Sequence, residues 1–220
     1  HQMVLWPLFM TSFMIDDYLA CEDAGHPEMF GASIAVISSA SSKTAIGAAK
    51  LLAARPGMKV VGLTSERSID FVRSLGCYSE VVSYAEVESC PVGEAVYVDI
   101  AGDRSVNHAV HSHYGDRLAH SLVVGGTHWN AEASSTAALP GPKPEFFFAP
   151  AQIALRTKQW GRDGLDQRVG ASWRSFAAWT NDWLRFETTS GAEAVRSLYD
   201  ALAAGSVDPK LGHVCSVSGN

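Results

Sequence analysis

The sequence predicts an α/β protein built on a doubly wound parallel sheet, followed by further helices toward the C-terminus. Three observations predict it. Short, β-branched, apolar runs recur at "SIAVIS", "MKVVGLT" and "EAVYVDIAG", apolar on both faces as strands covered from both sides must be. Helical runs alternate with them, and neighbouring parallel strands need such crossovers. The turns between are short and marked by Gly, Pro or Ser.

In order along the chain, a helix is expected from Thr11, with Ser12 as N-cap and Asp16 and Asp17 in its first turn, where acids favour a helix start. It stops at "AGHPE". A strand follows at 33–38, then a hydroxyl-rich loop and a helix over 45–54 closed by Arg55-Pro56-Gly57. The second strand spans 58–64, a helix 67–76 ends on Gly76, and a third strand covers 80–84. The fourth strand is 94–102, "DRSVNHAVHSHYG" a helix, and 119–126 the fifth strand. Beyond Gly126, "NAEASSTAALPGPKPE" reads as a loop. Then come "FFFAPAQIALRTKQWG" and the helices "SWRSFAAWTNDWLRFE" and "GAEAVRSLYDALAAG".

Composition narrows the function classes. The 220 residues carry a formal net charge of −6 with 17 Lys plus Arg, and no basic face for nucleic acid is visible. Cys21, Cys77, Cys90 and Cys215 are widely spaced with no CxxC pair, so reduced, cytoplasmic thiols are expected. "MVLWPLFMTSFMI" is interrupted by proline and hydroxyl residues and falls short of the roughly 20 apolar residues of a membrane span. No signal peptide is recognisable at the start. The dense aromatic run there needs something to pack against, and further chain N-terminal to it is expected.

The candidate binding segment is "SSASSKTAIGAAK", Ser38 to Lys50. A strand, a tight loop and a helix N-terminus aim free backbone N–H groups at an anion. Ser38, Ser39, Ser41, Ser42 and Thr44 could add hydroxyls and Lys43 a positive charge. Glycine normally lets the backbone approach a pyrophosphate closely, yet the only glycine here is Gly47. A P-loop would need glycine where Ile37 and Ser42 stand. A Ser/Thr cap on an ordinary crossover helix is the alternative. The second strand ends "GLTSER", and Ser65 with Arg67 suits a 2′-phosphate better than an acid would. NADP(H) is therefore expected over NAD(H), which stays open; Ser65 as a helix cap and Arg67 as a solvated cation are the plainer reading.

The stretch from "IAVISS" to "SYAEV" resembles the cofactor half of medium-chain dehydrogenase/reductases, especially the zinc-independent quinone oxidoreductase and enoyl reductase branch. "FVRSLGCYSEVVSY" is similar to that family's "LGAD.VI.Y" segment, and "VDIAG" and "LVVGGTHW" to its fourth and fifth strands. "PLFMTSFMIDDYL", "SSASSKTAIGAAKLLA" and "FFFAPAQIALRTKQWG" resemble the DUF2855 family more closely, over nearly the whole chain. The resemblance implies a Rossmann domain holding NADP(H), with the nicotinamide near Gly102, Gly125, Gly126 and Thr127. The usual AxxGxxG glycines are replaced. It implies three parts: a connecting helix over 1–24, the Rossmann domain over 25–150, and a helical segment over 151–220 that returns to an N-terminal GroES-like domain absent from this chain. On that reading Phe146, Phe147, Phe148, Trp160, Trp173, Trp179 and Trp183 are partly stranded. Family habit also suggests a homodimer, through edge pairing near "AHSLVVGG", and a small-molecule substrate.

Other chemistry has less support. His108, His111, His113 and His120 lack a nearby cysteine or carboxylate partner, the zinc-dependent members of the medium-chain family hold their catalytic zinc in the half that this chain is expected to lack, and no metal is expected. No lysine lies four residues after Tyr78, Tyr84, Tyr97, Tyr114 or Tyr199, against a short-chain dehydrogenase. No nucleophile elbow is present. His128 reads either as a proton relay or as an ordinary loop residue, and no catalytic residue is assigned. Two classes stay open: an NADP(H)-dependent reductase acting on a carbonyl, conjugated alkene or quinone, and a non-catalytic nucleotide-binding or scaffold domain.

Overall fold

The computed structural model describes residues 2–20, 25–124 and 139–218. Its main sheet is parallel with strand order β3-β2-β1-β4-β5-β6. The strands are β1 (Ile34–Ile37), β2 (Lys59–Thr64), β3 (Glu80–Ser83), β4 (Ala95–Asp99), β5 (Leu118–Val123) and the two-residue β6 (Glu145–Phe146). The order reverses between β1 and β4, and in such sheets the crevice at the carboxyl ends there receives ligands.

One face of the sheet is covered by α1 (Gln2–Ala20), α2 (Lys43–Leu52), α3 (Ile69–Ser74) and α5 (Ala149–Thr180), whose core includes Phe9, Ile46, Val98 and Phe176. The other face is covered by α4 (Arg104–Tyr114), through Val106, Val110 and Tyr114. Every residue of β1 and β4 is buried, as two-sided cover requires.

α1 starts well before Thr11 and contains Pro7. Ser12 is therefore no cap: it lies mid-helix, wholly buried, with Oγ 2.9 Å from the carbonyl of Leu8 and 2.7 Å from that of Thr44. Asp16 and Asp17 fall in the last turns, where cations rather than acids suit the dipole. Each has an arginine instead. Arg55 grips Asp16 through two bonds of 2.8 Å, and Arg156 meets Asp17 at 2.7 Å. Burial nonetheless pushes the Asp16 carboxyl above its ordinary pKa, against the opposing Arg55.

Gly47 serves the crossing of α1 over α2. A Cβ there would lie 2.5 Å from Ser12 Oγ and 2.9 Å from Ser12 Cβ, so the one glycine of the opening segment admits a helix, not a ligand.

α5 breaks at Gly161, whose φ of 71° is a glycine conformation. Trp173 and Phe147 are buried rather than stranded, Trp173 edge-on to Trp6 at 5.1 Å, while Phe146 and Phe148 remain exposed. The helix expected through Glu187 ends at Thr180. "RFETTS" forms β7 (Arg185–Ser190), which pairs in parallel with β8 (Leu211–Ser216) across α6 (Ala192–Ala203). Among the described residues no helix is long and apolar enough to cross a membrane.

Candidate functional site

The loop after β1 is tied down residue by residue. Ser38 is fully buried, and its Oγ donates to Asp99 Oδ1 at 2.8 Å while accepting from the Ile100 and Ala101 amides at 2.8 and 2.9 Å. Asp99, at the end of β4, also accepts from Gly102 N, Tyr97 OH and Asn107 Nδ2. Ser38 thus spends its hydroxyl on the framework and is not a ligand donor.

Ser39 sits at φ 54°, the left-handed region where a glycine would be unstrained. Its amide donates to Tyr84 OH at 3.0 Å. Ala40 N donates to the carbonyl of Leu63, and Tyr78 OH to the carbonyl of Ala40 at 2.9 Å. Gly62 makes room for this arrangement: a Cβ there would lie 2.8 Å from the Tyr78 ring and 2.9 Å from Ala40 Cβ. Burial pushes both phenols up, Tyr78 most strongly, so both stay protonated.

Ser42 is the N-cap of α2, accepting from Ala45 N at 3.2 Å, which is the plainer of its two expected roles. The amides of Ser41, Lys43 and Thr44 make no hydrogen bond among the described residues. They are the unpaired donors of a helix N-terminus, carrying its positive end.

Beside them lies a cleft of 610 Å³, lined on one side by Ser39, Ser41, Arg67 and Phe71 and on the other by the segment 205–210. The structure therefore brings Ser39, Ser41 and Arg67 to one cavity. Lys43 points to the far wall, its Nζ 3.3 Å from the carbonyl of Pro209. Burial lowers its pKa, opposed by the charge of Asp208. Arg67 donates from Nη2 to the carbonyl of Gly205. Thr44 is half-buried, with its carbonyl facing Ser12. The Ser65 hydroxyl lies 3.5 Å from Ser68 Oγ and makes no cap bond to the turn it precedes. Gly102 is exposed at φ 65° and anchored by its amide to Asp99. Gly125, Gly126, Thr127 and His128 lie outside the described residues.

Tyr78, Tyr84, Asp99 and Asn107 shape the site without having been singled out for it. The visible signals were the polar ends of two apolar strands, "VVSY" and "VYVD". The histidines diverge. His111 is buried between Pro140 O and Ser121 Oγ at 2.8 and 2.9 Å, and His120 stacks on Phe30 at 4.0 Å. Among the described residues no three metal-ligating side chains converge.

Chemically, two hydroxyls and a guanidinium line one cleft at the carboxyl ends of β1 and β2, beside a helix N-terminus, and with Lys210 they outnumber the carboxylates of Asp70 and Asp208 in the same lining, a set that suits an anion of phosphate type. The residues present therefore fit a phosphorylated nucleotide. Ser39 accepts at φ 54° the bend that glycine usually supplies.

Residues 1–208 match the profile of the family described as "Protein of unknown function (DUF2855)". No curated protein matches the chain. Among solved structures, Escherichia coli K-12 YhdH with bound NADPH is 19% identical with a TM-score of 0.57, over 99% of this chain and 63% of that one. CurA from Vibrio vulnificus in complex with NADPH is 14% identical, TM-score 0.57, over 96% of this chain and 62% of that one. An alcohol dehydrogenase superfamily protein from Novosphingobium aromaticivorans is 18% identical, TM-score 0.57, over 91% and 58%. At such identities the likeness is one of fold. The chain spans less than two thirds of the length of each of these structures.

Proposed function

The chain belongs to the DUF2855 family, and from that premise we propose that it binds NADP(H) across the carboxyl ends of β1, β2 and β4, as the cofactor half of a medium-chain type reductase. The observation that carries the reading is the cleft lined by Arg67, Ser39 and Ser41, next to the N-terminus of α2 with its unpaired first amides. The bound NADPH in the similar YhdH and CurA structures supports it.

When bound, the cofactor supplies a hydride for reducing a carbonyl, conjugated alkene or quinone. The chain's own residues bind and orient. The α2 N-terminus takes the pyrophosphate with the Ser39 and Ser41 hydroxyls. Arg67, at the end of β2, pairs with the 2′-phosphate, a charge-assisted contact that an unphosphorylated ribose lacks. The Ser38–Asp99 pair fixes the β1 and β4 loops on either side of the crevice. Gly102, with Gly125, Gly126 and Thr127, belongs to the nicotinamide end of the same reading on the strength of the family resemblance. The same resemblance supports the division at residues 24 and 150, a small-molecule substrate and a homodimer near "AHSLVVGG", while the widely spaced cysteines support a cytoplasmic setting.

Calorimetry with 2′,5′-ADP and 5′-AMP tests the assignment at the phosphate. Tighter binding of 2′,5′-ADP is expected, with the preference abolished in Arg67→Ala. Equal binding of both by the parent chain would overturn it.

A further inference from the structure

Two cations, Lys43 at the start of α2 and Arg67 after β2, are both held by the backbone of one short segment. Lys43 Nζ reaches the carbonyl of Pro209, and Arg67 Nη2 that of Gly205. Lys210 adds a third tie, its ammonium 5.7 Å from the ring of Phe71, itself a cleft residue. The segment joins α6 to β8 and forms the far wall of the cleft.

Its own construction is light. Gly205 turns at φ 61°. Local bonds shape most of the rest, from Gly205 N to Leu202 O, Ser206 N to Ala201 O, Lys210 N to Asp208 Oδ1 and Leu211 N to Asp208 O, and at the far end Arg185 N of β7 donates to the carbonyl of Lys210 at 2.9 Å, which hinges the segment there. Most of its residues are exposed. A carbonyl released from either cation would meet water, so opening leaves no buried polar group unpaired.

We propose that segment 205–210 is a displaceable strap, whose carbonyls stand in for phosphate oxygens on Arg67 and Lys43 and which a 2′-phosphorylated nucleotide pushes aside by taking Arg67 from Gly205. This rests on the nucleotide reading above. A phosphate dianion outcompetes a neutral carbonyl for a guanidinium, because charge-assisted hydrogen bonds are roughly twice as strong as neutral ones. While the strap is closed, the apparent affinity falls in proportion to the open fraction. Nucleotide binding is thereby coupled to the placement of the β7–α6–β8 unit. A nucleotide without the 2′-phosphate has no group to exchange for the Gly205 carbonyl.

The test uses the full chain. Amide hydrogen exchange is followed at Gly205, Ser206, Lys210 and Leu211 without ligand, with NADPH and with NADH. NADPH affinity is measured alongside for Pro209→Gly, which loosens the strap and leaves every charge around the cleft in place. The strap predicts faster exchange at these amides with NADPH but not with NADH, and NADPH binding about three- to tenfold tighter in the loosened variant. Binding seen only in that variant is the same result in its strongest form. NADPH binding to the parent chain with exchange unchanged or slowed, and no gain in the variant, would overturn the strap and leave the nucleotide site standing. No NADPH binding by either protein would remove the nucleotide reading and the strap with it.

Discussion

Ser38 and Asp99 meet at 2.8 Å, side chain to side chain, where the sheet changes winding direction between β1 and β4. Neither is open to solvent. The serine oxygen simultaneously receives the Ile100 and Ala101 amides, so one hydroxyl bridges the two loops that border the crevice. Ser38→Ala strands those amides and one carboxylate bond, and a destabilisation of about 1–3 kcal/mol is expected. Urea unfolding measures it. A loss below a few tenths of a kcal/mol would show that water replaces the bridge.

Ser39 carries the backbone turn that glycine makes in related loops. For an L-residue the left-handed conformation costs roughly 1–2 kcal/mol, set against the greater chain entropy of glycine, about 0.5–1 kcal/mol. Ser39→Gly is therefore expected to be neutral or mildly stabilising. Ser39→Val, branched at Cβ, is expected to lose stability. Thermal unfolding of the pair checks the order, and a more stable valine variant would contradict the assigned backbone.

Gly47 lets α1 approach α2. Gly47→Ala places a methyl against Ser12, and overpacking of this kind costs about 1–3 kcal/mol. Ser12→Gly in the same chain removes both atoms that the methyl meets. Recovery of part of the loss in the double variant is expected, whereas strict additivity would deny the contact.

His120 makes stability depend on pH in a defined sense. Burial lowers its pKa below the ordinary 6.5, with Glu145 opposing and His26, on the other face of Phe30, adding to it. The unfolded chain thus takes up the proton first. Stability from this residue is complete above about pH 6.5 and is lost as pH falls toward the folded value. His120→Phe keeps a ring on Phe30 and removes the titration, so its urea midpoint is expected to fall less than the parent's between about pH 7 and 5.5. Parallel slopes would contradict this.

The sheet was legible because buried parallel strands read as unbroken apolar runs: "IAVI" and "KVVGLT" fall within a residue of their expected bounds, while "AVYVD" stops three residues before its expected end, where Asp99 turns to bind Ser38. α2 was legible too, since Ser42 is a strong cap. The start of α1 was not, because Ser12 has the residue type of a cap, and only the packing of Gly47 shows that it lies mid-helix. β7 and β8 escaped notice for a similar reason. Thr and Phe in "RFETTS" favour strands, but the pairing partner lies beyond a whole helix. In the site, hydroxyl-rich composition pointed to the right loop without separating cleft-facing Ser39 and Ser41 from framework Ser38 and capping Ser42. That division depends on Asp99, Tyr78 and Tyr84, which reach the loop from other strands.

The central claim is that the cleft between the α2 N-terminus and Arg67 receives the phosphates of NADP(H). Titration of the chain with NADPH and NADH, followed by nicotinamide fluorescence, tests it most directly when repeated on Arg67→Ala. The account predicts a preference for NADPH in the parent chain. In the variant NADPH binding should weaken about ten- to hundredfold, the loss of a hydrogen-bonded charge contact of roughly 1.5–3 kcal/mol, with NADH binding little changed. NADPH binding that is indifferent to Arg67, or absent from the parent chain and the loosened-strap variant alike, would contradict it and leave "SSASSKTAIGAAK" as a capped crossover turn.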